Sequence, residues 1–380
     1  MLLSFERNGR ETTPEFLFYS MKKITLLLFF LQSVGFVFSQ AKTENLIIVS
    51  FDGLRWQELF GGVDDSLLHD KNFTSDSIEL MKQFWIDKPE ARRKKLLPFI
   101  WNTVAVKGQL YGNRLLGSKV NVKNPYRFSY PGYNEIFTGY PDTLVNSNDK
   151  KRNQNVTVLE YLNAQPALKG KIAAFTSWDV FDAIFNEPRC GFLVSAGFDD
   201  VPLKSPAFSL LNEMQQQAFQ PFGEQIRPDL LTYHLAKEYL KKKKPKVLYM
   251  GFDDTDDWAH NGKYDYYLQA ANLTDRYIAD LWTTIQSMPE YKDKTTLIIT
   301  TDHGRGDVVK KEWTSHGKKI KGADEIWMGF LGKGIEPKGE VKEGVQLYQA
   351  QLAQTIARLL GYTYKAAHPI EKSIGSIIRE

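Results

Sequence analysis

Four stretches of the chain are apolar almost without interruption over the length of a strand: Asn45–Phe51 (NLIIVSF), Lys171–Ser177 (KIAAFTS), Lys246–Phe252 (KVLYMGF) and Thr295–Thr301 (TTLIITT). A strand with one face in water alternates apolar and polar residues. A strand that is apolar at successive positions has to be covered on both faces, which is the condition of a parallel sheet clothed by crossover helices. Helical patterns lie between these runs. Tyr266 to Ile285 carries Leu268, Ala271, Leu273, Ile278, Leu281 and Ile285 as one apolar stripe, and Gln346 to Leu360 stops at Gly361, a C-cap residue type. The expected architecture is therefore α/β, a three-layer sandwich with a mostly parallel central sheet. No internal repeat and no Gly/Ser-rich or Pro-rich linker divides residues 41–380, which read as one domain. Segments 64–98 and 191–228 fit the alternation poorly and read as a small cap or lid insertion beside the sheet.

Ahead of the first strand, MKKITLLLFFLQSVGFVFSQ (residues 21–40) has two lysines, an apolar run from Ile24 and small or polar residues at its end, the layout of a secretory signal peptide. The run is too short to span a bilayer comfortably and lacks a charged stop, so no membrane anchor is expected in the mature chain. Residues 1–20 have no part in such a signal and read as a mis-assigned upstream start. The expected location is periplasmic or secreted. Cys190 is the only cysteine, so no internal disulfide can form, and none lies near the expected cleavage point to carry a lipid. A net charge of +4 over 380 residues, spread along the chain, gives no nucleic-acid-binding surface. The basic runs Arg92–Lys95 and Lys241–Lys244 read as solvated surface, the second at a helix C-terminus where cations suit the dipole.

Chemistry gathers where the strands end. The first is followed by Asp52. The third runs on as DDTDDWAH, with Asp253, Asp254, Asp256, Asp257 and then His260; the fourth is followed by Asp302 and His303. In open α/β sheets ligands bind at the carboxyl ends of the strands, so these acids should share one crevice, joined by His316 of WTSHG. Packed carboxylates repel unless water covers them or a cation lies among them. Mixed imidazole and carboxylate ligation suits zinc, with manganese or iron as alternatives, whereas magnesium and calcium favour oxygen alone. Each segment singly has an ordinary explanation, a helix cap or a hydrogen-bonded structural histidine; the ordered set does not. A nucleophile is offered by FSYPGYNEIFTG, which places Ser129 before a Pro-Gly pair at the start of a helix-like stretch ending at Gly139. The alternative is that Ser129 merely caps that helix.

The order Asp, Ser, Asp-x-x-x-His, Asp-His, His resembles the alkaline phosphatase superfamily, most closely its type I phosphodiesterase/nucleotide pyrophosphatase branch, over nearly all of the mature chain. The resemblance implies an exported hydrolase of phosphate esters acting on a small-molecule substrate through a phosphoseryl intermediate on Ser129, with two zinc ions, or manganese in their place. One metal would take Asp256, His260 and His316. The other would take Asp52, Asp302 and His303, completed by Ser129. Where relatives have Asn-His-Tyr after the proline this chain has Gly132, Tyr133 and Asn134. Of Asn146, Asn148 and Asn153, Asn148 is assigned to the phosphoryl oxygen, because Asp149 and Lys150 beside it can order the turn. The stretch Phe175–Asn186 lacks Lys and Arg and carries Asp179 and Asp182, so a diester is expected to be preferred over a monoester. Lys150 would be the substitute cation, and Trp178, with Phe181 and Phe185, a wall for the second ester group. Alternatives are a phosphomonoesterase, a sulfatase-like hydrolase, disfavoured because Tyr133 stands where a C/S-x-P-x-R motif needs Arg, and a non-catalytic protein that captures anions through its metals.

Overall fold

In the computed structural model, residues 43–342 and 344–378, with Ser4 and Gly9, are described. The expected signal peptide and upstream start lie outside the described residues, apart from Ser4 and Gly9. In chain order the strands are β1 (Asn45–Phe51), β2 (Gln109–Tyr111), β3 (Ser118–Asn121), β4 (Ile172–Thr176), β5 (Leu193–Ala196), β6 (Val247–Phe252), β7 (Thr295–Thr301), β8 (Glu325–Ile326), β9 (Met328–Gly332), β10 (Gly339–Glu340) and β11 (Val345–Tyr348). Eight form the central sheet in the order β10-β2-β9-β7-β1-β6-β4-β5, and β11, β3 and β8 form a small second sheet. The stretch from β7 to β5 is parallel throughout; β9 runs antiparallel to both its neighbours.

The five helices that matter for the site are α1 (Ser129–Thr138), α2 (Asp229–Lys243), α3 (Asp254–His260), α4 (Tyr264–Ser287) and α5 (Gln351–Leu359). Strand periodicity sorts β1 onto two faces. Ile47, Val49 and Phe51 pack with Leu235 and Ala236 of α2 and Leu268 and Ile278 of α4, while Leu46 and Ile48 pack with Ile136 and Phe137 of α1 and Leu352 and Ile356 of α5. This is the three-layer α/β sandwich. Each of these side chains is withdrawn from water, a gain of about 1.5–3 kcal/mol apiece before conformational entropy is charged against it.

Register then sets the site. Phe51 pairs with Phe252 on one side and Thr301 on the other, so the chain leaves β1, β6 and β7 at one level, with Asp52, Asp253 and Asp302 as the next residues. Several expectations need correction. The helix expected from Gln346 begins at Gln351, because 345–348 is spent on β11; Gly361 does follow it in the left-handed region, with φ 79°. The second expected cap, 191–228, contains β5, the edge strand of the main sheet, too short at four residues to read as a strand. Fully buried Arg227 ties this segment down, donating to Thr176 O, Ser195 O and Oγ, Gln215 Oε1 and Thr232 Oγ1. The first, 64–98, is helical and sends Leu67, Leu68, Leu80, Phe84 and Leu96 into the core. Within it Arg93 is no solvated cation: it forks onto Glu340 at 3.0 Å and stacks on Trp101. No helix among the described residues is long and apolar enough to cross a membrane.

Candidate metal centre and nucleophile

Helix α1 brings Ser129 to the strand ends. Phe128 is extended, with φ −146°, and Ser129 is the first helical residue; Pro131 falls in the first turn, where a missing N–H costs no helical bond. Ser129 is therefore not the cap. The Tyr130 N–H, one of the orphan donors of that turn, is taken at 2.9 Å by Asn148 Oδ1. Gly139, with φ 67°, ends the helix by donating its N–H to Glu135 O. At its other end Glu135 accepts from the N–H groups of Lys123, Asn124 and Ala350, which clamps the loop leading into Ser129 and the approach to α5 onto the same helix.

His303 is the hub. Its Nδ1 lies 3.0 Å from Gly304 O, which puts the proton on that nitrogen and leaves Nε2 as a lone pair. Around that Nε2 stand Asp52 Oδ1 at 3.2 Å, Asp302 Oδ2 at 3.5 Å, Ser129 Oγ at 3.5 Å and Asp256 Oδ1 at 3.7 Å. Asp52 Oδ1 and Asp302 Oδ2 are buried and accept no hydrogen bond. Burial, and then the neighbouring carboxylates, push both acids well above the usual carboxylate range. The other oxygen of Asp52 accepts from Tyr133 Oη at 2.9 Å; burial raises that phenol far above its ordinary value and keeps it a donor. A lone-pair imidazole converging with bare, buried carboxylates is a donor set that a divalent cation satisfies and that protons alone satisfy badly.

The second group is built on α3, where residues i and i+4 share a face: Asp256 Oδ2 and His260 Nε2 are 3.0 Å apart, and His316 Nε2 lies 2.9 Å from His260 Nε2. Two imidazole nitrogens pointed at each other at that distance also suit a shared cation. His303 and His316 stack at 3.9 Å, so the two groups adjoin, and the ligand atoms of Asp256, His303 and His316, like those of Asp52, Asp302 and His303, lie within 4.8 Å of one another. Burial opposes the charge on Asp256, but the Arg305 guanidinium, then His260 and His316, hold it well below the usual range. Of the four acids in DDTDDWAH only Asp256 faces these imidazoles. Asp253 and Asp257 share a hydrogen bond with each other, and the Asp253 and Asp254 N–H groups donate to Asp229.

All six Asp and His ligand candidates are thus brought together with Ser129. The substrate-side residues fare less evenly. Asn148 stands beside the nucleophile with its oxygen committed. Lys150 is held by Asp179 at 3.0 Å and Asp182 at 3.3 Å, so the acids expected to repel a dianion are half compensated, and by the very lysine expected to attract one. Trp178 is half-buried, its edge against Phe181; Phe181 and Phe185 lie in the core with Tyr133, Phe137 and Tyr249 and form no substrate wall. Tyr133 and Arg305 were missed. Arg305 of DHGRG had a signal, a cation two residues beyond a ligand pair at a strand end.

A family model described as the metalloenzyme superfamily matches residues 226–362. Among solved structures, the chain is similar to wild-type alkaline phosphatase PafA, at 10% identity and TM-score 0.60 over 89% of this chain and 99% of that one. It is similar to the lipoteichoic acid synthase LtaP from Listeria monocytogenes at 14% identity and TM-score 0.52, over 86% of this chain and 74% of that one. A putative sulfatase from Bacteroides thetaiotaomicron aligns at 13% identity and TM-score 0.56, over 86% and 72%. No curated protein sequence matches. Residues 226–362 thus match a metalloenzyme model, and the fold of the chain is that of solved structures such as alkaline phosphatase PafA, in line with the resemblance read from the sequence. Phosphatase, sulfatase and lipoteichoic acid synthase neighbours share the fold, so the nucleotide pyrophosphatase branch is not singled out.

Proposed function

We propose that this chain is an exported hydrolase of phosphate esters, preferring diesters to monoesters, that works through a phosphoseryl intermediate on Ser129 with two zinc ions. The observation that carries the reading is the His303 Nε2 hub, which places the Ser129 hydroxyl against the same donor set as Asp52, Asp302 and Asp256. Bound there, divalent ions lower the pKa of a hydroxyl and neutralise charge on a leaving oxygen. Asp52, Asp302 and His303 would hold one ion and Asp256, His260 and His316 the other. Ser129 supplies the nucleophile: its oxygen bonds to phosphorus as the bond to the ester oxygen breaks, and water then cleaves the phosphoserine and restores the hydroxyl. Asn148, whose oxygen is committed to Tyr130, offers its amide N–H groups to a phosphoryl oxygen. Tyr133, tied to Asp52, fills the place where a sulfatase motif needs Arg.

The diester preference rests on the commitment of Lys150. A monoester dianion needs one more uncommitted cation than a diester, and the nearby lysine is already shared by two aspartates. Trp178, half-buried, remains as the apolar surface for a second ester group. The test is the ratio of kcat/KM for an aryl phosphate monoester and its alkyl diester, with metal content measured in parallel. A diester advantage with about two zinc ions per chain is expected; a clear monoester advantage overturns the preference. Export through residues 21–40, with 41–380 as the mature catalytic domain, is tested by the N-terminal sequence of the protein recovered outside the cytoplasm.

A further inference from the structure

Arg305 is 1% exposed, yet its guanidinium reaches two other strand-end segments. Its Nε donates to Gly53 O at 3.2 Å, directly after Asp52; its Nη2 donates to Asp256 O at 3.0 Å and also to the Asp256 carboxylate at Oδ1. One Nη2 thus meets the main-chain carbonyl and the side chain of the same residue, which fixes the carboxylate relative to its own backbone. Oδ1 meets the arginine while standing 3.7 Å from His303 Nε2 and 3.8 Å from His316 Nε2, and Oδ2 faces His260 Nε2 at 3.0 Å. The junction has no slack. A Cβ on Gly53, where φ is +58°, would stand 2.7 Å from Asp256 Oδ1 and 2.9 Å from Arg305 Nε.

We propose that Arg305 is a positioning residue that orients the Asp256 carboxylate toward the ion shared with His260 and His316, and so sets the affinity of that ion more strongly than that of the one held by Asp52, Asp302 and His303. This inference rests on the two-ion reading above. The physical reason is geometric: lysine can supply the charge at this position but not the planar fork that reaches Gly53 O and Asp256 together. Partners that orient a metal ligand typically contribute 10- to 100-fold in metal affinity.

The test is titration of the metal-stripped full mature chain with Co²⁺, followed by the visible absorption of the bound ion and by equilibrium dialysis, in wild type, Arg305→Lys, Arg305→Ala and His316→Ala. Wild type should take up two ions. In both Arg305 variants one binding step should weaken by about 10-fold or more and the other stay within about 3-fold. Adding Arg305→Ala to His316→Ala should leave the single remaining ion bound as in His316→Ala alone. Melting of each stripped variant is measured alongside, and Arg305→Lys keeps the test valid if Arg305→Ala fails to fold. Two unchanged binding steps in Arg305→Lys, or equal weakening of both, overturn the positioning role. A wild-type chain that binds no cobalt overturns the metal reading itself, which is a distinguishable failure.

Discussion

Gly132 is the position at which the placement of Ser129 can be perturbed without replacing a polar side chain. It lies in the first turns of α1, and its requirement for glycine comes from close approach: a Cβ there would sit 2.6 Å from Asp302 O and 3.2 Å from Asp302 Cβ. Ordinary van der Waals contact begins at 3.4 Å, so Gly132→Ala demands a separation of about 0.8 Å between α1 and the end of β7. Ser129, one turn away on the same helix, moves with it, while His303 is the residue next to Asp302. The 3.5 Å approach of Ser129 Oγ to His303 Nε2 should therefore open by a similar amount. Overpacking costs about 1–3 kcal/mol, and replacing glycine inside a helix returns up to about 1 kcal/mol, so the net loss of stability should lie between ~0 and 3 kcal/mol. A misplacement near 1 Å at the reacting atoms costs on the order of 100-fold in rate. The variant should thus lose about 100-fold in activity while remaining folded. The assay compares kcat/KM for an aryl phosphate ester, zinc content and the denaturant midpoint in wild type and Gly132→Ala. Wild-type turnover in a variant that folds and binds zinc normally would refute the claim that this contact sets the position of Ser129.

Ser129→Ala should lower turnover by several orders of magnitude with zinc content retained; a variant that keeps wild-type activity makes the hydroxyl incidental. His260→Ala and His316→Ala should deplete the same ion, so the double variant should hold as much zinc as either single one, and loss of two ions in the double variant would break the grouping. Burial pushes Glu135 and Asp275 up to about 7 from 4.5 and 3.8, so the folded chain keeps protons that the unfolded chain has released. Their contribution to stability is greatest below about pH 4 and is lost as pH rises to about 7, on the order of 3–4 kcal/mol each at most. Asp275→Asn should flatten that slope in urea midpoints measured from pH 4.5 to 7.5 at fixed zinc; an unchanged slope would show that Asp275 titrates alike folded and unfolded.

What was legible in the sequence was what recurs with a period or sits at a strand end. β1 and β7 are recovered at their limits and β4 and β6 to within a residue, because a strand covered on both faces leaves an unbroken apolar run. Asp52 and Asp302 follow from those strands, since parallel register carries them to one level, and Asp256 with His260 follows in the helix that begins just after β6. Short elements left no such trace. Leu193–Ala196 and Val345–Tyr348 are four residues each, held in place by neighbours far away in the chain, and the fragment of pattern in each fits a helix or a loop equally well.

Charge commitment was the other thing hidden, and it alters the functional argument more than any strand boundary. In the linear chain Asp179 and Asp182 look like free anions, Lys150 like a free cation, and Arg305 like one more basic residue in a loop. The fold pairs the first three through contacts 29 and 32 positions apart, leaving one of the two negative charges uncompensated, and it buries the fourth against a carboxylate 49 positions away. The expected repulsion of a dianion by the two acids is therefore reduced to that of one negative charge, and the expected rescue by the lysine disappears. What survives for discriminating a monoester from a diester is the count of cations left uncommitted near Ser129, a quantity that only pairwise geometry defines. A substitution that frees Lys150 should for that reason act on the discrimination itself. With Asp179→Asn and Asp182→Asn together, kcat/KM for the monoester should rise relative to the diester while zinc content stays constant, and a ratio that does not move would separate Lys150 from substrate selection altogether.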